Sequence, residues 1–242
     1  VKVLYKQTIL GFLWAILNPL FNMVVFSIVF GKLAQIPSDG IPYPVFSLAA
    51  LLPWTYFSQA LSSSTNSLVT QSGMFTKVYF PRLIIPLTPV VAKLVDFLIA
   101  FVMLIVVMAY YNIIPGYEIV FLPLLIILMI LTASGIGMWL SALAIQYRDI
   151  KFAMTFMVQL LMYAAPVVWP VSLIEEKFGY TAKMVYGLYP MAGIIEGFRA
   201  ALLGSRPMPW DIIMMGTITA LLVFVSGVFY FRKMERVFAD VA

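Results

Sequence analysis

At 242 residues, 63% hydrophobic and only 10% charged, the chain carries more apolar surface than a soluble domain of its size can hide, so lipid is its main solvent. It holds no cysteine and no histidine, which excludes disulfide and thiolate chemistry and removes the commonest general base and metal ligand. The formal charge of +5 is spread over short loops beside the apolar runs rather than gathered in one stripe, which speaks against nucleic acid.

Six stretches reach the roughly 20 apolar residues that a bilayer span requires, at about 10–31, 44–68, 83–111, 119–146, 152–171 and 211–231. They predict an all-α integral membrane protein, one transmembrane domain over 1–242. The first run is too long for a cleavable signal and has no small-residue cleavage site. The loop from Lys32 to Tyr43 carries Pro37, Ser38, Asp39, Gly40 and Pro42, which is turn chemistry. The second loop, about 69–82, holds Gln71, Ser72, Gly73, Lys77 and Arg82; the third holds Asn112, Pro115 and Gly116. The fourth is the charged turn Tyr147-Arg148-Asp149-Ile150-Lys151.

Lys2, Lys6, Lys77, Arg82, Arg148, Lys151, Arg232, Lys233 and Arg236 all fall on one side of an even number of spans. Basic residues favour the cytoplasm, so both termini are expected there. Most of the acids fall on the other side: Asp39, Glu118, Glu175, Glu176, Glu196 and Asp211.

The fifth loop, about 172–210, has helices of its own. Ser172-Leu173-Ile174-Glu175 fits a capping box. Pro190 opens, and Gly204 closes, a run too short to span. With Pro166 and Pro170, this predicts short broken or re-entrant helices on the outer side, because non-helical backbone at membrane depth needs protein or a water-filled cavity around it. An interfacial amphipathic helix is the alternative.

Three spans carry polar faces. Gln7, Trp14, Asn18 and Asn22 share one face of the first; Tyr56, Gln59, Ser63, Asn66 and Thr70 line the second; Phe152, Phe156, Gln159 and Tyr163 align on the fifth. Amides hydrogen-bond hydroxyls and ring faces stack on the C–H faces of pyranoses, so such a lining suits a carbohydrate chain better than an ion or a lipid tail. The same residues also join helix to helix in membranes, and both readings stay open. Ser134, Gly135, Gly137 and Ser141 read as helix packing.

Lys93 and Asp96 lie inside the third span, three apart on one face. A lone charge there is costly, so they are expected to pair, as a structural bridge or an ion-coupling site. Glu196 and Arg199 repeat the spacing in the outer short helix, as a gate latch or a local pair. No phosphate-binding Gly-x-x-x-x-Gly-Lys-Ser/Thr loop, metal-ligand cluster or activated nucleophile is present in the sequence. A transporter without a motor either uses an ion gradient or borrows an engine.

Five motifs in order resemble the permease subunits of polysaccharide-export ABC transporters, of the O-antigen and teichoic-acid type. They are Tyr5-Lys6-Gln7-Thr8-Ile9-Leu10-Gly11-Phe12-Leu13-Trp14-Ala15 with Asn18-Pro19-Leu20; Leu51-Leu52-Pro53-Trp54-Thr55-Tyr56-Phe57-Ser58; Phe75-Thr76-Lys77-Val78-Tyr79-Phe80-Pro81-Arg82; Tyr147-Arg148-Asp149-Ile150; and Pro190-Met191-Ala192-Gly193-Ile194-Ile195-Glu196-Gly197-Phe198-Arg199.

The resemblance implies a homodimer of twelve spans working with two copies of a separate ATPase, which would bind the ATP and magnesium; this chain would need no cofactor and be no enzyme. It implies that Gln71, Ser72, Gly73, Met74, Phe75 and Lys77, with Arg148 and Asp149, dock onto the ATPases. Spans one and five of the two copies would frame the channel, and Lys2, Tyr5 and Lys6 would meet a lipid-diphosphate headgroup. The substrate would be a lipid-linked polysaccharide, pushed outward in steps across the cytoplasmic (inner) membrane. The rival functions are a secondary transporter built on Lys93 and Asp96, a permease of the same fold for a drug or lipid, and a membrane enzyme using Glu175 and Glu176.

Overall fold

A computed structural model of the chain describes residues 14–70, 81–147 and 149–235. Among these every regular element is helical. Helix α1 covers Trp14–Phe26 and runs on through a π-helical turn, Ser27–Leu33. Then come α2 (Tyr43–Thr70), α3 (Ile84–Tyr110), a 3-10 turn (Tyr117–Phe121) and α4 (Leu122–Gln146). They are followed by α5 (Ile150–Ala164), α6 (Ser172–Gly187), α7 (Pro190–Leu203) and α8 (Trp210–Glu235).

Four described stretches are long and apolar enough to cross a bilayer: Ile16–Leu33, Ile84–Tyr110, Tyr117–Gln146 and Trp210–Glu235. Helix α2 is long enough, at 28 residues, but is diluted by serine, threonine, asparagine and glutamine. It can carry them because it is the central helix, packed against α1, α3, α4, α5 and α7, with most of its length buried. Its hydroxyls find partners close by: Ser64 donates to the Pro86 carbonyl, and Thr65 and Ser67 donate to carbonyls of their own helix.

The main core joins α2, α3, α4, α7 and α8. A smaller cluster, Leu68, Ile85, Met138, Ala142 and Phe231, closes the end where α2 and α8 finish. The small residues of α4 let backbones meet, as expected. A Cβ on Gly135 would lie 2.7 Å from the Phe224 Cα, and one on Gly227 would lie 2.6 Å from the Gly135 carbonyl.

Two expectations need correction. The fifth span was expected to reach residue 171, but α5 ends at Ala164. Ala165 precedes Pro166, whose ring drives it out of the helical region to φ −79°, ψ 149°. The capping box at Ser172 does not form either: α6 starts there, but Val171 is the N-cap and no side chain of the segment caps it. The Val171 N–H donates instead to Glu196 Oε1 of α7, at 3.1 Å. A carboxylate from a neighbouring helix thus accepts the N-cap N–H, the role the local sequence offered to Glu175.

Helix α7 behaves as its punctuation predicts. Pro190 sits in its first turn, and Gly204 ends it at φ 60°, a left-handed position that favours glycine. Every residue of α7 except Glu196 is buried, against α2, α4 and α8. That makes it a helix of the interior, unlike a surface-lying amphipathic one. Gly179, at φ 83°, breaks α6 into two short pieces. The loop before α2, the 3-10 turn, α6, α7 and the start of α8 gather at one end of the bundle. Tyr43 donates to the Val168 carbonyl at 2.8 Å, Arg206 pairs with Asp39 at 3.0 Å, and Phe121 meets Trp210 edge to face.

Candidate functional site

Trp14 and Asn18 of α1, Tyr56 and Gln59 of α2, and Lys93 and Asp96 of α3 converge on one narrow cleft of about 40 Å³. The sequence had suggested three separate features here, two polar faces and an intramembrane pair; the structure places them side by side. Lys93 Nζ lies 2.8 Å from Asp96 Oδ2, and both side chains are largely buried. Asn22 donates to the Asn18 side-chain oxygen at 3.2 Å, so the α1 amides share a face one turn apart. Tyr56 sits deepest: its ring meets Phe97 edge-on and its hydroxyl donates to the Val90 carbonyl at 3.0 Å. Farther along α2, Asn66 donates to the Ser62 carbonyl and Thr70 to the Asn66 carbonyl, so that part of the stripe is taken up by its own helix.

The α5 face stands apart from that cleft. Phe152 is 79% exposed and Tyr163 is 71% exposed, with Phe156 and Gln159 between them also open. Met154 is the one buried residue of the helix, which packs mainly on α2 and α4 and accepts hydrogen bonds from Tyr186 and Tyr189 near its C-terminal end. Within one chain, then, the first two stripes meet and the third faces outward, a row of aromatic rings and an amide with no cover.

At the loop-rich end, Glu196 and Arg199 form a buried knot. Arg199 is 2% exposed and Glu196 11%, and their side chains lie 2.7 Å apart. The guanidinium also donates to the carbonyls of Val167 at 2.9 Å, Trp169 at 3.3 Å and Phe46 at 3.4 Å. It stacks over the Phe46 ring, 3.6 Å from its centroid. The same carboxylate holds the start of α6 through Val171. One ion pair therefore fastens α7 to α2 and to the irregular 165–171 segment. The i,i+3 spacing announced the pair; nothing local announced Phe46, which is 153 positions away.

Of the residues assigned to ATPase docking, Gln71, Ser72, Gly73, Met74, Phe75, Lys77 and Arg148 lie outside the described residues, as do Lys2, Tyr5 and Lys6. Asp149 is exposed at the N-cap of α5, its carbonyl accepting the Ala153 N–H at 2.9 Å. Arg82 closes the second loop by donating to the Glu235 carbonyl at 2.9 Å, so a cation meets the C-terminal dipole of α8. Among the described residues no group of acids is placed to hold a metal ion.

A helical bundle with four bilayer-length apolar stretches is a multi-pass membrane protein. The chain belongs to the ABC-2 type transporter family, which matches residues 1–203. It is 27% identical over 243 aligned residues to the O-antigen export system permease protein RfbA of Klebsiella pneumoniae, covering 99% of this chain and 90% of that protein. The protein of the same name from Myxococcus xanthus is 25% identical, over 97% of this chain and 89% of the relative. The polysialic acid transport protein KpsM of Escherichia coli is also 25% identical, over 94% of this chain and 87% of its own length.

Proposed function

We propose that two copies of this chain form the channel of an ABC exporter. It would carry a lipid-linked polysaccharide, an O antigen or related surface glycan, outward across the cytoplasmic membrane. Two copies of a separate ATPase subunit would bind ATP and magnesium and drive it. The family and the near full-length relatives named for O-antigen and polysialic acid transport support the export class. The observation that carries the substrate class is the uncovered aromatic-and-amide face of α5.

A polymer must slide through its channel, so no single unit can be held tightly. Binding has to be favourable enough to admit each unit and weak enough to release it. Rings such as Phe152, Phe156 and Tyr163 offer stacking contacts of modest, interchangeable strength, and Gln159 exchanges hydrogen bonds among hydroxyls. A second copy turning its own α1 and α5 toward this face would enclose the path, with Trp14, Asn18, Asn22 and Gln59 along its flank and Tyr56 in the wall behind.

Force would enter at the Arg148-Asp149 turn, because Asp149 is the N-cap of the path helix itself: an ATPase pressing there moves α5 directly. The Glu196–Arg199 knot at the far end would act as the outer latch. Lys2, Tyr5 and Lys6 would meet the lipid-diphosphate headgroup, and both termini would lie in the cytoplasm among membrane lipids.

The test is co-purification with an ATPase subunit from the same cells, then hydrolysis in lipid with and without a lipid-linked glycan. A stable complex whose hydrolysis responds to glycan is expected. A permease that purifies without an ATPase, or hydrolysis indifferent to glycan, refutes the proposal.

A further inference from the structure

A cleft of about 460 Å³ opens at the loop-rich end, where α6, α7 and the start of α8 meet the loops around residues 39 and 206. It lies apart from the channel residues assigned to α1, α2 and α5, with the Glu196–Arg199 knot at its floor. Its volume falls within the roughly 300–1,000 Å³ of ordinary small-ligand sites.

The rim is built from paired charges. Lys183 Nζ lies 2.7 Å from Asp211 Oδ2 and 3.1 Å from Glu175 Oε2, and Arg206 lies 3.0 Å from Asp39 Oδ1. Burial works against the Lys183 ammonium, but the hydrogen bonds it donates to its two acids, with their charges, outweigh it and raise its pKa above the ordinary lysine value, so it stays charged. Arg206 is 48% exposed, and its hydrogen bond to Asp39 uses one arm of the guanidinium fork. Trp210 is held edge-on by Phe121, with ring centroids 4.8 Å apart, and stays partly exposed at the mouth.

This chemistry selects by elimination. Each cation is already answered by an acid, and the Lys183 cluster holds two acids to one base, so an anion such as phosphate meets repulsion. A metal cation would have to displace the Lys183 ammonium, which already engages oxygens of both acids. What remains is a ring of hydrogen-bond acceptors and donors beside the partly exposed Trp210 indole. That set matches an uncharged pyranose, whose hydroxyls donate and accept at once and whose C–H face stacks on an aromatic ring.

We propose that this cleft is an external docking subsite for uncharged sugar units of the exported chain, occupied after they leave the channel. The inference rests on the export reading. A weak hold at the exit would resist back-sliding between strokes of the ATPase, since a unit seated there must be released before the polymer retreats.

The test uses the permease–ATPase complex in lipid nanodiscs. The probe is a short oligosaccharide released by mild acid from the host's own surface glycan, followed by saturation-transfer NMR and calorimetry, with inorganic phosphate as competitor. Saturable binding that phosphate does not compete is expected. Arg206→Gln and Trp210→Leu should each weaken it roughly tenfold, as loss of one good hydrogen bond or stacking contact does. Phe229→Ala, exposed on α8 and outside both the cleft and the channel face, should leave it unchanged.

Absent binding, or binding equal to the unaltered protein's in Arg206→Gln, overturns the subsite. Arg206 lies in an exposed loop, so that variant tests the idea even if Trp210→Leu fails to fold. Surface glycan in a deletion strain separates the two levels. If it persists, the export reading falls and the subsite with it; if it is lost while the variants bind normally, only the subsite falls.

Discussion

Arg199→Met should be among the most destabilising single changes in the chain. The guanidinium is buried, and its removal strands the Glu196 carboxylate 11% exposed with only the Val171 N–H for company. Carbonyls of Val167, Trp169 and Phe46 lose a shared donor as well. Breaking a buried ion pair by deleting one partner costs about 3–5 kcal/mol, because the remaining charge is left without its partner and with little solvation. Removing both charges should cost less: in Glu196→Gln/Arg199→Met the glutamine oxygen still accepts from Val171. A favourable coupling on the order of 1–3 kcal/mol is expected between the two substitutions. Arg199→Lys should not rescue, since a single ammonium cannot serve a carboxylate, three carbonyls and a ring face together. The assay is thermal and chemical unfolding of the detergent-solubilised protein, followed by tryptophan fluorescence. If Arg199→Met stays within about 0.5 kcal/mol of the unaltered protein, or the double variant loses as much as the two singles summed, the knot is not a structural fastening.

Gly135→Ala should destabilise the α4–α8 contact by roughly 1–3 kcal/mol. Its Cβ would meet the Phe224 backbone at 2.7 Å, and backbone cannot swing aside; a melting temperature equal to the unaltered protein's counts against this packing. Tyr163→Ala should cut surface glycan while leaving the melting temperature of the single chain unchanged, because the ring is 71% exposed and supports nothing within one chain. Normal glycan display removes it from the path. Lys183 joins α6 to α8 through Glu175 and Asp211, with its pKa raised above 10.5. Its stabilising contribution is complete below the ordinary lysine value and is lost as pH rises through the folded value. Melting temperature followed from pH about 9 to about 12 should fall more steeply in the unaltered protein than in Lys183→Met; parallel curves refute the bridge.

Helix positions were legible because apolar runs of bilayer length have few other meanings, and because Pro190 and Gly204 carry local backbone rules that burial does not override. The same local rules gave the Ala165 break away late: Pro166 was noted, but an apolar run up to residue 171 hid its effect on the residue before it. The capping box failed for a reason no local pattern contains, since the carboxylate that serves Val171 comes from α7, 25 positions on. The α1 amide face could be drawn from spacing alone, as the Asn18–Asn22 bond reflects. Its meeting with Lys93 and Asp96 could not, because it depends on which faces of α1 and α3 turn toward α2. The outer cleft was equally hidden: Asp39 and Arg206 are 167 positions apart, and Asp39 read only as a loop acid.

The rival use of Lys93 and Asp96, as an ion-coupling site, makes a demand that the described residues lining their cleft do not meet. A proton taken up inside a bundle must be handed on, and each carrier has to lie within hydrogen-bond reach of the next. Around the pair stand Trp14, Asn18, Thr55, Gln59 and the phenol of Tyr56, whose hydroxyl is committed to the Val90 carbonyl. None of these takes and releases a proton near neutral pH, and the cleft supplies no second acid. A bridge needs no such chain: it needs the 2.8 Å contact that the pair makes. The two roles part under mutation. For a bridge, Lys93→Met and Asp96→Asn should each lower stability, Lys93→Met/Asp96→Leu should recover much of the loss, and export in the double variant should persist. For a coupling site, the double variant should be the most inactive of the three, and a protonophore should halt transport in vesicles still supplied with ATP. Transport that continues under the protonophore, with export retained in the double variant, leaves the pair its structural role.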